Sequence, residues 1–186
     1  MRTFLKILGI LVLLLSAYVL IGGLLLPKSF HLEKSVSIKA SKDVIWQNVS
    51  MFSNFRKWSP WNEYDPDMKV TITGTDGTPG AVYAWEGNKD VGSGTMTYTA
   101  VNPQNNVKID LNFLKPFKSR AKVVLKLDDE PSSTKVTWAF DTEFAYPFNA
   151  LVPFMGMEKN LGNDFLKGMN NLKRLSESGT AAAGRP

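Results

Sequence analysis

From Ile7 to Leu26 the chain is apolar except for Ser16, Tyr18 and glycines. These twenty residues, if helical, reach roughly 30 Å, the thickness of a bilayer's hydrocarbon core. Arg2 and Lys6 precede the stretch and Pro27-Lys28 ends it. A secretory signal has an apolar run of only about 7–15 residues and a small-x-small cleavage site. Leu24-Leu25-Leu26-Pro27 is no such site, so the pattern predicts an uncleaved anchor with residues 4–26 as the membrane contact. Short basic N-termini stay inside. The remainder is therefore expected outside the cytoplasm, as a single-pass protein of a bacterial inner membrane with a periplasmic domain.

Beyond the anchor the period changes. Lys34-Ser-Val-Ser-Ile-Lys39 alternates as a half-buried strand does. Ser41 then caps a helix in which Val44, Ile45, Val49 and Phe52 share one face. Asn54 to Asp67, NFRKWSPWNEYDPD, is aromatic and proline-rich and reads as irregular. Strand patterns follow: Val70 and Ile72; Tyr83 and Trp85; Gly94, Met96, Tyr98 and Ala100; Val107, Ile109, Leu111 and Phe113; Ala121, Val123, Leu125 and Leu127; Val136, Trp138, Phe140 and Phe144. Between them lies turn chemistry such as Thr75-Asp-Gly-Thr-Pro-Gly80, Gly87-Asn88, Asn102-Pro103 and Pro131-Ser-Ser. Short strands at this spacing predict an antiparallel meander.

The period becomes helical again at the end. Met157, Leu161, Phe165, Met169, Leu172 and Leu175 form one stripe, and the small, polar residues from Ser176 read as a tail. The predicted organisation is an N-terminal stub, anchor and linker over 1–31, one α+β domain over 32–176, and a disordered tail over 177–186. One sheet face holds nearly all the large apolar side chains and must be covered. The last helix is the obvious cover.

Composition narrows the chemistry. With no cysteine there are no disulfides, thiolate metal sites or cysteine nucleophile. The net charge of +5 suggests nucleic acid, but between Glu33 and Leu175 there are 18 Lys+Arg and 16 Asp+Glu, a difference of +2 with no basic block. A nucleic-acid partner is therefore not expected. The single histidine, His31, sits just past the anchor, so zinc and triad chemistry lack donors. No GxGxxG or Walker sequence occurs, and no cofactor or metal is expected. Glu63, Asp65 and Asp67 cluster, but without the spacing of an EF-hand, and Asp65-Pro66-Asp67 makes a good turn. Asn48-Val-Ser50 matches a glycosylation acceptor but falls in the predicted helix. The anchor lacks a GxxxG pair, so nothing signals an oligomeric state.

The order of elements carries a likeness, together with Trp58-Ser-Pro-Trp61-Asn-Glu, Gly80-Ala-Val-Tyr-Ala-Trp85, Thr134-Lys-Val-Thr-Trp138 and Leu161-Gly-Asn-Asp-Phe-Leu-Lys-Gly168-Met-Asn-Asn-Leu-Lys173. Over about residues 33–175 the chain resembles the SRPBCC superfamily of START, Bet v 1-like and polyketide cyclase proteins. The closest likeness is to its polyketide cyclase/dehydrase-like branch behind an N-terminal membrane helix. That resemblance implies a helix-grip fold: a curved antiparallel sheet wrapped on a long C-terminal helix, with a cavity for a hydrophobic or amphipathic small molecule or lipid. It implies no single reaction.

The candidate ligand-binding residues are Trp58, Trp61, Tyr83, Trp85, Met96, Tyr98, Leu111, Phe113, Trp138, Phe140, Met157, Leu161 and Phe165. The aromatic segment around Trp58 and Trp61 is expected either to form the cavity mouth or to pack as a closing loop. Tyr83 and Tyr98 carry hydroxyls that need partners if buried. The leading reading is a membrane-anchored binder with no catalytic residues. Two alternatives stand beside it. One is a cyclase or isomerase using Tyr83, Tyr98, Glu86 or Asp141; the other is a tethered interaction protein with a collapsed cavity.

Overall fold

The structure, a computed structural model, describes residues 1–183, with side chains described through residue 178. It opens with α1 (Arg2–Leu25), a helix long and apolar enough to cross a membrane. Only Leu26 to Lys28 separate it from β1 (Ser29–Ile38). The strand thus starts ahead of the expected boundary at 32, because Ser29 to Leu32 already pair with Glu143 to Phe140.

Three helices follow: α2 (Lys42–Ser50), α3 (Phe52–Phe55) and α4 (Trp61–Tyr64). The Ser41 hydroxyl accepts from the Val44 amide at 3.4 Å, the N-cap expected of it. The helix stops earlier than expected, since Met51 is extended and Phe52 begins the one-turn α3. The Asp76 carboxylate accepts from the Phe52 and Ser53 amides at 2.8 and 2.9 Å. It thereby caps a helix far away in sequence. Two single turns interrupt the segment expected to be irregular.

The rest of the sheet is β2 (Lys69–Thr73), β3 (Val82–Glu86), β4 (Ser93–Asn102), β5 (Asn106–Lys115), β6 (Ser119–Glu130) and β7 (Ser133–Glu143). All seven strands form one antiparallel sheet in the order β1-β7-β6-β5-β4-β3-β2. A 3₁₀ helix (Phe148–Phe154) leads into α5 (Met157–Ala183), which lies on β1 and α2. The fold is the expected α+β helix grip.

Alternation along the strands places side chains as the sequence predicts, with one exception. A bulge at Thr99 shifts the register, so that Tyr98 faces Ile109 but Ala100 faces Lys108. One extra residue inverts the parity. Ala100, expected inside, therefore pairs on the outer face, and Val101 packs on the core opposite the buried Val107.

The expected tail from 177 also changes. Ser176 is buried, its hydroxyl accepting from Asn48 Nδ2 at 3.0 Å, so α5 is still docked there. The helix runs on to Ala183 through alanines, the best helix formers. Residues 184–186 of that expected tail lie outside the described residues.

Candidate functional site

Between the concave sheet face and α5 lies a cavity of about 90 Å³. Trp138 of β7 is its hub. The Phe165 ring from α5 stacks on it at 4.1 Å, while Trp58 and Trp61 meet it edge-on at 5.2 and 5.8 Å. On the other side Phe52 stacks on Tyr98 at 3.9 Å, and Phe55 meets Tyr83 edge-on at 5.7 Å. Trp85 lies across Gly94 of the neighbouring strand and touches Phe113 edge-on at 5.9 Å. A β-carbon at Gly94 would collide with the Trp85 ring and the Asn112 carbonyl, so glycine is what lets the indole lie flat there.

Most of the candidate residues converge on this cavity: Trp61, Tyr83, Trp85, Met96, Tyr98, Leu111, Phe113, Trp138, Phe140, Leu161 and Phe165. Two do not. Trp58 is fully buried behind the wall, its indole donating to the Asn48 carbonyl at 2.9 Å, so it is a packing residue. Met157 sits at the start of α5 and lines a different cleft, of about 680 Å³, with Leu26, Phe30, Lys34 and Leu166. The helical stripe runs past the end of the cavity, and periodicity alone does not reveal where the cavity stops. Val49, Phe52, Phe55, Ser59, Met68, Val91, Ile109, Val123 and Leu125 complete the wall. Of these, Val49, Phe52, Ile109, Val123 and Leu125 were legible as apolar-face residues, whereas Met68, just past the irregular segment, carried no periodic signal.

The wall is mostly apolar, and three of its residues carry an unpartnered polar atom. Tyr83, Trp138 and Ser59 line the cavity, and the Tyr83 hydroxyl, Trp138 Nε1 and Ser59 Oγ are buried with no hydrogen-bond partner among the described residues. Each such group costs about 1–3 kcal/mol while unsatisfied. Burial pushes the Tyr83 phenol up to about 12, with the Arg56 charge pulling weakly the other way. Burial also raises Tyr98, and the charge of Asp76 acts in the same direction. Both phenols stay protonated across the physiological range.

Neither carboxylate proposed for acid–base work reaches the cavity. Glu86 ends β3 exposed, and Asp141 lies on the outer sheet face beside His31. His31 Nδ1 is 2.7 Å from Asp141 Oδ1, so the histidine is a cross-strand partner rather than a free interfacial residue. The acidic cluster is structural. The Asp65 carboxylate accepts from the Asn88 amide at 2.6 Å, and Glu63 pairs with Lys167 at 2.8 Å. No cluster of His, Cys, Asp and Glu suited to a metal occurs among the described residues.

The α4 segment, which brings Trp61 to the cavity wall, is tied to α5 by surface contacts. The Tyr64 hydroxyl donates to Asp164 at 2.6 Å, Lys167 lies over the Tyr64 ring, and Asn171 reaches Glu63 at 3.3 Å. The Asp164 hydrogen bond, then burial, push the Tyr64 phenol up to about 12. The Lys167 and Asn171 bonds hold Glu63 below the usual carboxylate range. Exposed polar contacts of this kind are screened by solvent and add little to stability.

A family described as polyketide cyclase / dehydrase and lipid transport matches residues 29–177. Among solved structures, a protein from Nitrosospira multiformis superposes with a TM-score of 0.60 at 16% identity, covering 82% of this chain and 99% of its own. Protein Ms6760 from Mycobacterium smegmatis gives 0.57 at 19%, covering 80% and 92%. The di-domain ARO/CYC StfQ from the steffimycin biosynthetic pathway gives 0.60 at 9%, covering 82% of this chain and 52% of its own. At these identities the likeness is one of fold. No curated protein matches the chain.

Proposed function

The chain belongs to the polyketide cyclase / dehydrase and lipid transport family, and from that premise we propose that it binds a hydrophobic or amphipathic small molecule, lipid- or polyketide-like, between its sheet and α5. One observation carries the reading. Three residues with a buried, unpartnered polar group (Tyr83, Trp138 and Ser59) line one largely apolar cavity. Two can donate or accept and one can only donate, which suits an oxygen-bearing ligand with an apolar body.

The volume qualifies the mode of binding. The cavity, about 90 Å³, is well below the roughly 300–1,000 Å³ of pockets that hold drug-sized ligands. Binding of a larger ligand therefore requires the wall to give way, and the Trp61 segment, short and packed on Trp138, is the part of the wall that meets α5 through exposed polar contacts. No carboxylate or imidazole lines the wall, which supports binding over proton-transfer catalysis.

The same proposal includes membrane anchorage through α1. The domain holds the end of this helix: buried Asn149 Nδ2 donates to the Gly23 and Leu26 carbonyls at 3.0 and 2.9 Å. A segment so integrated into the fold is a poor candidate for removal as a signal.

The full chain, extracted from its own membranes and analysed by native mass spectrometry with lipid extraction, is expected to carry an apolar molecule at one per chain. A chain that emerges bare from several mild detergents, and binds no added fatty acyl or polycyclic probe, would sink the proposal.

A further inference from the structure

The apolar surface left uncovered by the domain is gathered at one end. From Phe144 to Met157 the chain carries no charged residue. Within that run Phe148 is 63% exposed and Phe154 is 74% exposed. The tip joining β5 to β6 presents Phe117 at 82% exposure, with Leu114 half-exposed beside it. Leu114 takes the outward parity of its strand, opposite to Leu111 and Phe113, and has no residue across from it on β4, since Ser93 pairs with Lys115 and Gly94 with Phe113.

The strand ladder places these groups together. Ser29 faces Glu143, Ala121 faces Thr142, and Phe113 faces Ser119. The exit from α1, the entry to the 3₁₀ helix and the β5–β6 tip therefore leave the sheet at the same end. The tip stands two to three strand spacings from β1, roughly 10–14 Å.

Depth follows from the packing of the 3₁₀ helix on α1. The Tyr18 hydroxyl donates to the Ala150 carbonyl at 3.1 Å, and the Tyr18 and Phe154 rings meet edge-on at 5.7 Å. Tyr18 precedes Leu26 by eight residues, about 12 Å along a helix axis. If α1 spans a bilayer, whatever rests on Tyr18 lies below the headgroups. The backbone there suits such a place. The Ala150 amide donates to Pro147 and the Met155 amide to Val152, both at 3.1 Å, while Asn149 satisfies the end of α1. At the tip, Lys115 and Lys118 bracket Pro116-Phe117, ready to reach phosphates while the ring goes down.

We propose that the 3₁₀ helix and the β5–β6 tip form a membrane seat. Both insert into the phospholipid leaflet beside α1 and fix the domain on the lipid surface by this end. The inference rests on the reading of α1 as a membrane span. It adds an interaction surface within the domain itself, bordering the cleft lined by Phe30 and Met157.

The absence of cysteine makes the test clean, because any introduced cysteine is labelled alone. Full-length Phe117→Cys, Phe148→Cys, Val12→Cys and Ser132→Cys are each labelled with an environment-sensitive fluorophore. They are then reconstituted into phosphatidylcholine–phosphatidylglycerol vesicles carrying nitroxide lipids. Val12 reports the middle of α1, and Ser132 the turn at the opposite end of the sheet. Labels at Phe117 and Phe148 are expected to be blue-shifted and quenched at a depth of about 5–10 Å, with Ser132 unquenched. If they behave like Ser132 while Val12 is deeply quenched, the seat is overturned and the span stands. If Val12 is also wet, the span fails and the seat with it.

Discussion

Tyr83 and His31 show how differently two titratable side chains are used. The Tyr83 hydroxyl is buried and unpartnered, so removing it relieves a desolvated group. Tyr83→Phe is expected to leave the ligand-free protein as stable or more stable, by up to about 1–2 kcal/mol. It should weaken binding of the co-purified molecule by about tenfold, the loss of one hydrogen bond. Thermal melts and a binding titration on the same preparation separate the two effects, and a hydroxyl used only for packing would move neither. His31 is raised above 6.5, chiefly by its hydrogen bond to Asp141, with burial opposing and the charges of Asp141 and Glu33 assisting. A raised folded value means that the contact stabilises the fold fully below pH 6.5 and loses that contribution as pH rises through the folded value. Its side chains are 55% and 54% exposed, so the change in melting temperature should be small. The imidazole resonances of this single histidine are expected to titrate above 6.5 and to fall back towards it in Asp141→Asn. An unchanged midpoint in that variant would remove Asp141 as the cause.

At the scale of elements, α5 is the cover on which the cavity depends. Phe165, Met169 and Leu172 are fully buried, and Phe165 stacks on Trp138. Gly168 allows close approach, since a β-carbon there would stand 3.0 Å from Pro60 and 3.1 Å from Trp138. Phe165→Ala is expected to cost roughly 3–5 kcal/mol in urea unfolding of the detergent-solubilised chain. A loss below about 1 kcal/mol would mean that this helix is not seated as described. The stripe from Leu161 to Leu175 was legible from its period alone. The end of α2 was not, because the extended Met51 and the Asp76 cap on α3 come from tertiary contacts.

At the scale of the molecule, the anchor and the domain share structure. β1 follows α1 after three residues, and Asn149 ties the 3₁₀ helix to the end of α1. A chain begun at Glu33 loses Ser29 to Leu32 from the ladder, and Leu32 is buried. It is expected to be less stable than a chain begun at Pro27 by at least about 2–3 kcal/mol, measured side by side in the same detergent. Equal stability would show that the first turn of pairing contributes nothing.

Period and turn chemistry, which are local, suffice for the apolar N-terminal helix, the α+β class, the strand–helix–six-strand–helix order and nearly all of the inward-facing residues. They also place Tyr83 and Trp138 inside, because parity along a strand survives until a bulge breaks it. The rest came from long-range packing. Packing put Trp58 and Met157 off the cavity wall, turned Ala100 out and Val101 in, and left Glu86 and Asp141 on the outside. It also gathered Phe117, Phe148 and Phe154 at the α1 end of the sheet, although they are far apart along the chain. The physical reason is common to all of them. Which neighbour a side chain meets depends on register, bulges and the packing of distant segments, and none of these is written in the spacing of residues along one element.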